Sequence, residues 1–466
     1  MVELENICLS YDKKNKVLKD FSLNIKQGEC VLFTGESGSG KTSVINAING
    51  LASRYDKACI TGNIKINGLS TKDLEIYQIS KLISTVFQNP KTYFFNVNTT
   101  LELLFYLENL GFNREEMDRR MEKMLSIFPI EHLLNRDIFK LSGGEKQILC
   151  VASCYMAGTK IIVLDEPSSN LDAQYIEVLS NMLKILKAEK ISLIISEHRI
   201  YYLMNVVDRI ILLENGKIKK EYTSKELSTF TNDVCIKLGL RSVNKTKLTK
   251  GEPTSSGDLL IKNFVYKFDG FNSQLAIDNM SFQLGKIYGI IGKNGCGKTT
   301  FVHSLIGIEK SSKEEVYLND KKLSKKQRLT MSSLVMQDVN HQLFSDEVLE
   351  EVVLGVKNPN KEKAISLLKD LNMYDYIDRH PMSLSGGQKQ RLAIASVLYK
   401  NSRFIFFDEP TSGMDYKNME RISALIKQVS TPDNIIFIIS HDIEFLNLTV
   451  DYTINLEKYR TVLFIP

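Results

Sequence analysis

Two runs in this chain hold glycines, a lysine and a hydroxyl at a spacing suited to gripping a chain of phosphates. They are Gly35-Glu36-Ser37-Gly38-Ser39-Gly40-Lys41-Thr42 and Gly292-Lys293-Asn294-Gly295-Cys296-Gly297-Lys298-Thr299. Without Cβ atoms, the loop backbone can bring its N–H groups close to an anion at the start of a helix. Lys41 and Lys298 are expected to reach the β- and γ-phosphates. Thr42 and Thr299, followed by Ser43 and Thr300, should place a hydroxyl beside Mg²⁺.

Further pairs recur in the same order. Asp165-Glu166-Pro167 and Asp408-Glu409-Pro410 each end an apolar run, where the aspartate would face a metal ion and the glutamate would orient and deprotonate water. His198 and His441 follow their aspartates at equal distance and could contact a γ-phosphate. Gln88 and Gln337, after Val86-Phe87 and Val335-Met336, could sense the metal and relay its presence. Leu141-Ser142-Gly143-Gly144-Glu145 recurs as Leu384-Ser385-Gly386-Gly387-Gln388. Tyr11 and Tyr266 lie early in each half and either stack on a base or simply pack.

These groups need a scaffold that repeats. The interval from Ser142 to Asp165 to His198 equals that from Ser385 to Asp408 to His441, whereas the intervals around Gln88 and Gln337 differ between halves. Length varies where loops tolerate it. The runs Cys30-Val-Leu-Phe, Ile161-Ile-Val-Leu, Ile191-Ser-Leu-Ile-Ile and Ile210-Ile-Leu-Leu are of strand length. So are Ile287-Tyr-Gly-Ile-Ile, Phe404-Ile-Phe-Phe, Ile435-Ile-Phe-Ile-Ile and Tyr452-Thr-Ile-Asn-Leu. Continuous apolar runs of this kind suit strands buried on both faces, and helical patterns between them predict a parallel α/β core in each half. Residues of about 90–157 and 339–396 read as inserted helical subdomains. The expected domains are 1–225 and 258–466, joined by a linker at 226–257 that ends in a Gly/Pro/Ser cluster.

The 466 residues are 43% hydrophobic and 25% charged, which suits at least two domains with full cores. A net charge of +5 is too mild to argue for nucleic acid, and the basic stretch Arg241–Lys250 reads as solvated linker. No apolar run approaches the ~18–20 residues needed to cross a bilayer, and the first residues lack a basic segment followed by an apolar one. Seven scattered cysteines fit neither a disulfide framework nor a zinc site, and Cys150 and Cys154 read as small core residues. Cys296, inside the second glycine loop, is either a reactive thiolate favoured by the positive loop or an inert buried side chain.

The paired motifs resemble those of the ABC ATPase family over essentially the whole chain. That resemblance implies two P-loop NTPase domains, each a RecA-like parallel-sheet core with a helical insert, that bind and hydrolyse ATP with Mg²⁺. It implies an intramolecular head-to-tail pair, in which Lys41, Gln88, Asp165, Glu166 and His198 share a nucleotide with Ser385, Gly386, Gly387 and Gln388. Lys298, Gln337, Asp408, Glu409 and His441 would then share the other with Ser142, Gly143, Gly144 and Glu145.

Gln88-Asn89-Pro90 with Phe94-Phe95, the segment Gln337–Phe344 with Glu350-Glu351-Val, and Glu197-His198-Arg199 are similar to segments of the energy-coupling-factor branch of importers. That narrower resemblance implies a motor at the cytoplasmic face of the cell membrane. Its partners would be a transmembrane coupling protein and a substrate-binding membrane protein, for uptake of a vitamin-like micronutrient or metal ion. The alternative is a soluble tandem protein of the same family acting on the ribosome. Two departures stand out: Glu145 replaces the usual glutamine, and Ile148 stands where the second copy has Arg391. A carboxylate beside a nucleotide is unfavourable unless turned away or paired, so unequal sites are expected.

Overall fold

Strands that must bury both faces can be apolar throughout, and the eight runs singled out above are all strands in the computed structural model. It describes residues 1–12, 15–90, 93–169, 171–253, 256–268 and 273–462. The chain divides into two compact units, the first containing Met1–Thr246 and the second beginning at Lys247.

In the first unit a six-stranded sheet runs, in spatial order, Lys217–Thr223, Arg209–Glu214, Cys30–Gly35, Ser192–Ser196, Ile161–Asp165 and Ile83–Val86. All neighbours are parallel except the first two, which form a hairpin. Alternate residues of Cys30–Gly35 enter opposite cores. Cys30 and Leu32 pack with the helical insert, while Val31 and Phe33 pack under a second sheet. Full burial of each such side chain favours the fold by ~1.5–3 kcal/mol.

The second unit repeats the order with five parallel strands: Ser332–Val335, Phe404–Asp408, Ile435–Ile439, Ile287–Ile291 and Tyr452–Asn455. In both units the glycine loop leaves the strand lying between the histidine-bearing strand and the last parallel one. Loop, acidic pair and histidine therefore emerge at one sheet edge.

Each unit also carries an antiparallel sheet that an all-parallel reading does not anticipate. The first has the order Leu18–Ile25, Val2–Ser10, Cys59–Ile66 and Leu69–Ser70, and the second is built around Leu259–Lys267 and Ser273–Phe282. Its signal is period-two burial, visible along Phe21-Ser-Leu-Asn-Ile, where Phe21, Leu23 and Ile25 face inward.

The inserts are helical as expected. Thr99–Asn109, Arg114–Ile127 and Gly143–Ala157 form the first, and Val348–Val353, Lys361–Asp370 and Gly386–Lys400 the second. Near the expected start of the first insert, Lys91 and Thr92 lie outside the described residues.

Residues 226–246, within the expected linker, continue the first unit. They carry the helices Ser224–Ser228 and Asn232–Lys237 and bury Leu227, Cys235, Leu240 and Val243 in its core. Among the described residues only 247–253 and 256–257 behave as a connector, held to the second unit through Thr249 N–H to Asn447 Oδ1 (2.9 Å) and Thr453 N–H to the Gly251 carbonyl (2.8 Å). Arg241 is likewise buried at 2% exposure and does not belong to a solvated stretch. No described helix is long and apolar enough to cross a membrane.

Candidate functional site

Both glycine loops fold alike because the same three positions need backbone that favours glycine. Gly35, Gly38 and Gly40 have φ of 142°, 80° and 105°, and Gly292, Gly295 and Gly297 have 146°, 75° and 104°. A Cβ on Gly35 would sit 2.3 Å from the Leu213 carbonyl oxygen. The helices Lys41–Ile48 and Lys298–Ile306 start directly after the loops, so their first N–H groups face the same space.

The lysines turn back onto their own loops. Lys41 Nζ donates to the Gly35 and Glu36 carbonyls, both at 3.1 Å, and Lys298 Nζ to those of Gly292 (2.8 Å) and Lys293 (3.1 Å). Burial lowers the Lys41 pKa, with the Glu166 carboxylate opposing that shift. Thr42 Oγ1 donates to Asp165 Oδ1 at 3.4 Å and Thr299 Oγ1 to Asp408 Oδ2 at 3.3 Å. Burial raises the pKa of both aspartates. Ser43 accepts from the Tyr11 hydroxyl at 3.2 Å, and Thr300 stands beside Thr299 in its helix.

Glu166 meets both the glutamine and the histidine of the first site. Its Oε2 accepts from Gln88 Nε2 at 2.6 Å and its Oε1 lies 3.6 Å from His198 Nε2. Burial, then the carboxylates of Glu197 and Asp165, push its pKa up to about 8. His198 is fully buried, and burial followed by the charges of Lys41 and Arg241 pushes its pKa well below the usual histidine range.

In the second site Glu409 Oε1 lies 3.6 Å from His441 Nε2, which also meets Asn294 Oδ1 at 2.9 Å. Gln337 follows the strand Ser332–Val335, as Gln88 follows Ile83–Val86. Both glutamates hold left-handed backbone, φ 43° and 46°, which is uncommon outside glycine and clusters at functional sites.

The signatures stand apart at the N-termini of insert helices. Ser142 caps Gly143–Ala157 in a reciprocal box, Glu145 N–H to Ser142 Oγ at 3.2 Å and Ser142 N–H to Glu145 Oε2 at 2.7 Å. Ser385 and Gln388 repeat it, with Ser385 N–H to Gln388 Oε1 at 2.8 Å. Gly143, Gly144, Gly386 and Gly387 form the first turns. Glu145 is paired, its Oε1 lying 3.2 Å from Arg136 Nη1. Ile148 is buried, whereas Arg391 is half-buried with its pKa lowered by burial and by Arg421.

Register identifies an aromatic that spacing alone misplaces. Val2 pairs with Ile66 and Leu259 with Leu318, so Tyr11 corresponds to Phe268 and not to Tyr266. Tyr266 packs edge-on against Phe268 at 5.1 Å, while a Cβ on Gly297 would meet Phe268 at 2.9 Å. Two acids tie down the junction of core and insert, of which the motifs include Glu351 but not Glu102. Buried Glu102 accepts from the N–H groups of Phe95 (3.1 Å) and Asn96 (2.7 Å), and Glu351 accepts from those of Phe344 and Ser345 (both 2.8 Å). Each anchors the loop leading from the glutamine into the insert.

Cys296 settles on the buried side of its alternatives. It is 1% exposed in the core of the second unit, and burial raises its pKa against the pull of Lys298.

A threonine hydroxyl and an aspartate carboxylate meet at each loop, with the Gln88 amide close by in the first unit. Such a set suits a hard cation that shares its coordination with phosphate. Among the described residues no group of three or more His, Cys, Asp or Glu could hold a metal by itself.

The ABC transporter family profile matches residues 18–169 and 275–412. A Treponema denticola protein named as an ABC transporter ATP-binding protein is 40% identical, covering 96% of this chain and 93% of its own length. A similarly named Saccharolobus solfataricus protein is 31% identical, covering 99% and 93%. Among solved structures, an archaeal ribosome recycling factor in complex with a ribosomal stalk protein matches with a TM-score of 0.61 at 21% identity, over 94% of this chain and 84% of that one. The RNase-L inhibitor matches at 0.62 and 21%, over 97% and 87%. At that identity the likeness speaks for the fold alone.

Proposed function

Because the chain belongs to the ABC transporter family of ATP-binding proteins and carries two ATPase domains, we propose that it is the motor of an importer of the energy-coupling-factor type. Each glycine loop cradles the ATP phosphates, with Lys41 or Lys298 swinging from the loop carbonyls to the β- and γ-phosphates. Thr42, Gln88 and Asp165, and in the second site Thr299, Gln337 and Asp408, would hold Mg²⁺, whose charge offsets that developing on the phosphates. Glu166 and Glu409 orient and deprotonate the attacking water, and His198 and His441 contact the γ-phosphate. The two halves act as a head-to-tail pair, each signature helix N-terminus meeting the ATP of the other half, with Arg136 neutralising Glu145. The closed pair forms on ATP binding and reopens after hydrolysis.

The observation that carries the importer reading is a groove of about 360 Å³ in the first unit, between the parallel sheet and its insert, lined by Ile76, Phe87, Tyr93, Phe95, Phe105 and Tyr106. It opens one residue from Gln88. Phe95, stacked on Phe105 at 5.0 Å, is 78% exposed, and Phe344 at the matching place in the second unit is 76% exposed. An apolar cytosolic helix of a membrane subunit docked there would feel the movement of Gln88 and the insert.

The test is purification of the chain from native membranes in mild detergent, followed by identification of what accompanies it. An integral membrane protein in stoichiometric amount is expected. Ribosomal proteins without one would replace this reading with the ribosome-acting alternative.

A further inference from the structure

Glu197 is a buried carboxylate outside the phosphate-binding and acidic-pair motifs, and its hydrogen bonds among the described residues are to the backbone and side chains that shape the first site. It is 2% exposed. Its Oε2 accepts from the Ser168 N–H (3.1 Å), in the turn just after Glu166-Pro167, and from the Tyr202 hydroxyl (2.9 Å). Its Oε1 accepts from the N–H groups of His198 (2.7 Å) and Arg199 (3.1 Å). Arg199 Nη1 in turn reaches the Ser168 and Leu171 carbonyls, both at 3.4 Å. One side chain thus joins the segment after Glu166 to the loop that holds His198.

The second site makes this link with different residues. By the spacing from each aspartate, Glu197, Arg199, Tyr202 and Ser168 correspond to Ser440, Asp442, Phe445 and Thr411. There the carboxylate sits two residues later. Asp442 Oδ2 accepts from Thr411 Oγ1 at 3.4 Å, its Oδ1 caps a helix through the Phe445 N–H at 3.2 Å, and Ser440 Oγ donates to Glu409 Oε2 at 3.4 Å. Where the carboxylate has moved away from the position before the histidine, the tyrosine hydroxyl it would have bonded has become phenylalanine. The residues differ as a set, as expected when one link is built in two ways.

We propose that Glu197 is a positioning residue of the first ATPase site, setting the distance between Glu166 and His198 by bonding both of the segments that carry them. This rests on the reading that Glu166 and His198 act on ATP. Misplacing either group by about an ångström would lower the chemical step ~10–100-fold. Nucleotide binding by the glycine loop would be left nearly intact.

The experiment uses the full chain carrying Glu409→Gln, so that only the first site keeps its glutamate. Release of labelled phosphate is followed in single turnover with protein in excess over ATP. Glu197→Gln, which keeps the volume and one acceptor oxygen, should lower the plateau rate ~10–100-fold with the half-saturating concentration changed less than about threefold. Glu197→Ser should do the same, and Glu197→Ser with Arg199→Asp and Tyr202→Phe, which installs the arrangement of the second site, should recover the rate to within about threefold. Should the Glu409→Gln chain itself be silent, the same variants are compared in the otherwise unmodified protein, because silence of one site then silences both.

A Glu197→Gln rate within about twofold of its parent overturns the proposal, and so does a Glu197→Ser loss in a folded chain that the triple replacement fails to recover. If Glu166→Gln, measured alongside, leaves the rate unchanged, it is the role of Glu166 that fails.

Discussion

Glu166 and Glu409 hold φ of 43° and 46°, hold their carboxylate oxygens 3.6 Å from a histidine nitrogen, and begin the turn after a buried strand. A side chain kept in such backbone is held for geometry rather than for stability. Glu166→Gln with Glu409→Gln should leave ATP binding in place and lower steady-state turnover by ~10²–10⁴. Near-normal phosphate release by the purified double variant would remove both from the mechanism.

The Glu166 carboxyl titrates at about 8 in the folded protein against an ordinary value of 4.5, chiefly because it is buried. The folded protein therefore holds a proton that the unfolded chain releases between those values. Stability from this group is complete below about 4.5 and falls as pH rises through about 8. Glutamine has no such proton to lose. The melting temperature of nucleotide-free Glu166→Gln minus that of the parent should rise from pH 5 to pH 9, and a flat difference would contradict the burial. Cysteine chemistry divides in the same way: a maleimide should mark exposed Cys59 in the native protein and spare Cys296, as peptide mapping can show.

At the scale of elements, the two signature helices share a capping box but differ in what packs on their second glycine. A Cβ on Gly144 would lie 2.6 Å from the Tyr175 ring, whereas Gly387 has nothing within 4 Å. Gly144→Ala should therefore destabilise the first unit by ~1–3 kcal/mol, seen as a lowered melting temperature. Gly387→Ala should leave stability unchanged or raise it by ~0.5–1 kcal/mol. Equal effects would mean that Tyr175 gives way. Glu145, read from sequence as a charge in need of a partner, finds Arg136, nine residues before it and across a short loop. With Arg136 41% and Glu145 16% exposed, that pair contributes little to stability, so its use lies in neutralising a charge.

For the whole molecule, the membrane reading turns on a single apolar groove, and its most exposed aromatic is the place to test it. Phe95→Asp should lower the fraction of the chain recovered with membranes from cell extracts several-fold, because a charge would have to be buried against an apolar helix. Unchanged recovery would move the docking surface elsewhere. The lining of the groove could not be read from the chain: Ile76 and Phe105 sit on two separate helices and Phe87 and Phe95 in the loops between them, and only their packing leaves them facing one space.

Local rules were enough for the glycine loops, the buried parallel strands and the placing of the acidic pairs at strand ends, because each rests on residues adjacent in sequence or on a run long enough to show its period. Repetition then singled out His198 and His441, whose ring nitrogens lie 3.6 Å from Glu166 and Glu409. Where a role depends on pairing between distant segments, spacing misled. Tyr11 and Tyr266 both read from the chain as residues that either stack on a base or pack, and strand register sets Phe268, not Tyr266, in the place matching Tyr11. Residues 226–246 looked like linker until Leu227 and Cys235 were seen in the core. Cys296 stood in a positive loop by sequence, yet its side chain turns into the core, where burial outweighs that field. Glu197 gains the Ser168 N–H only because the turn after Glu166 folds over it, while its other three donors lie within five residues along the chain. Motif residues and strand periods are set by neighbours along the chain, whereas burial, pKa and carboxylate partners are set by neighbours in space, which only the packed structure brings together.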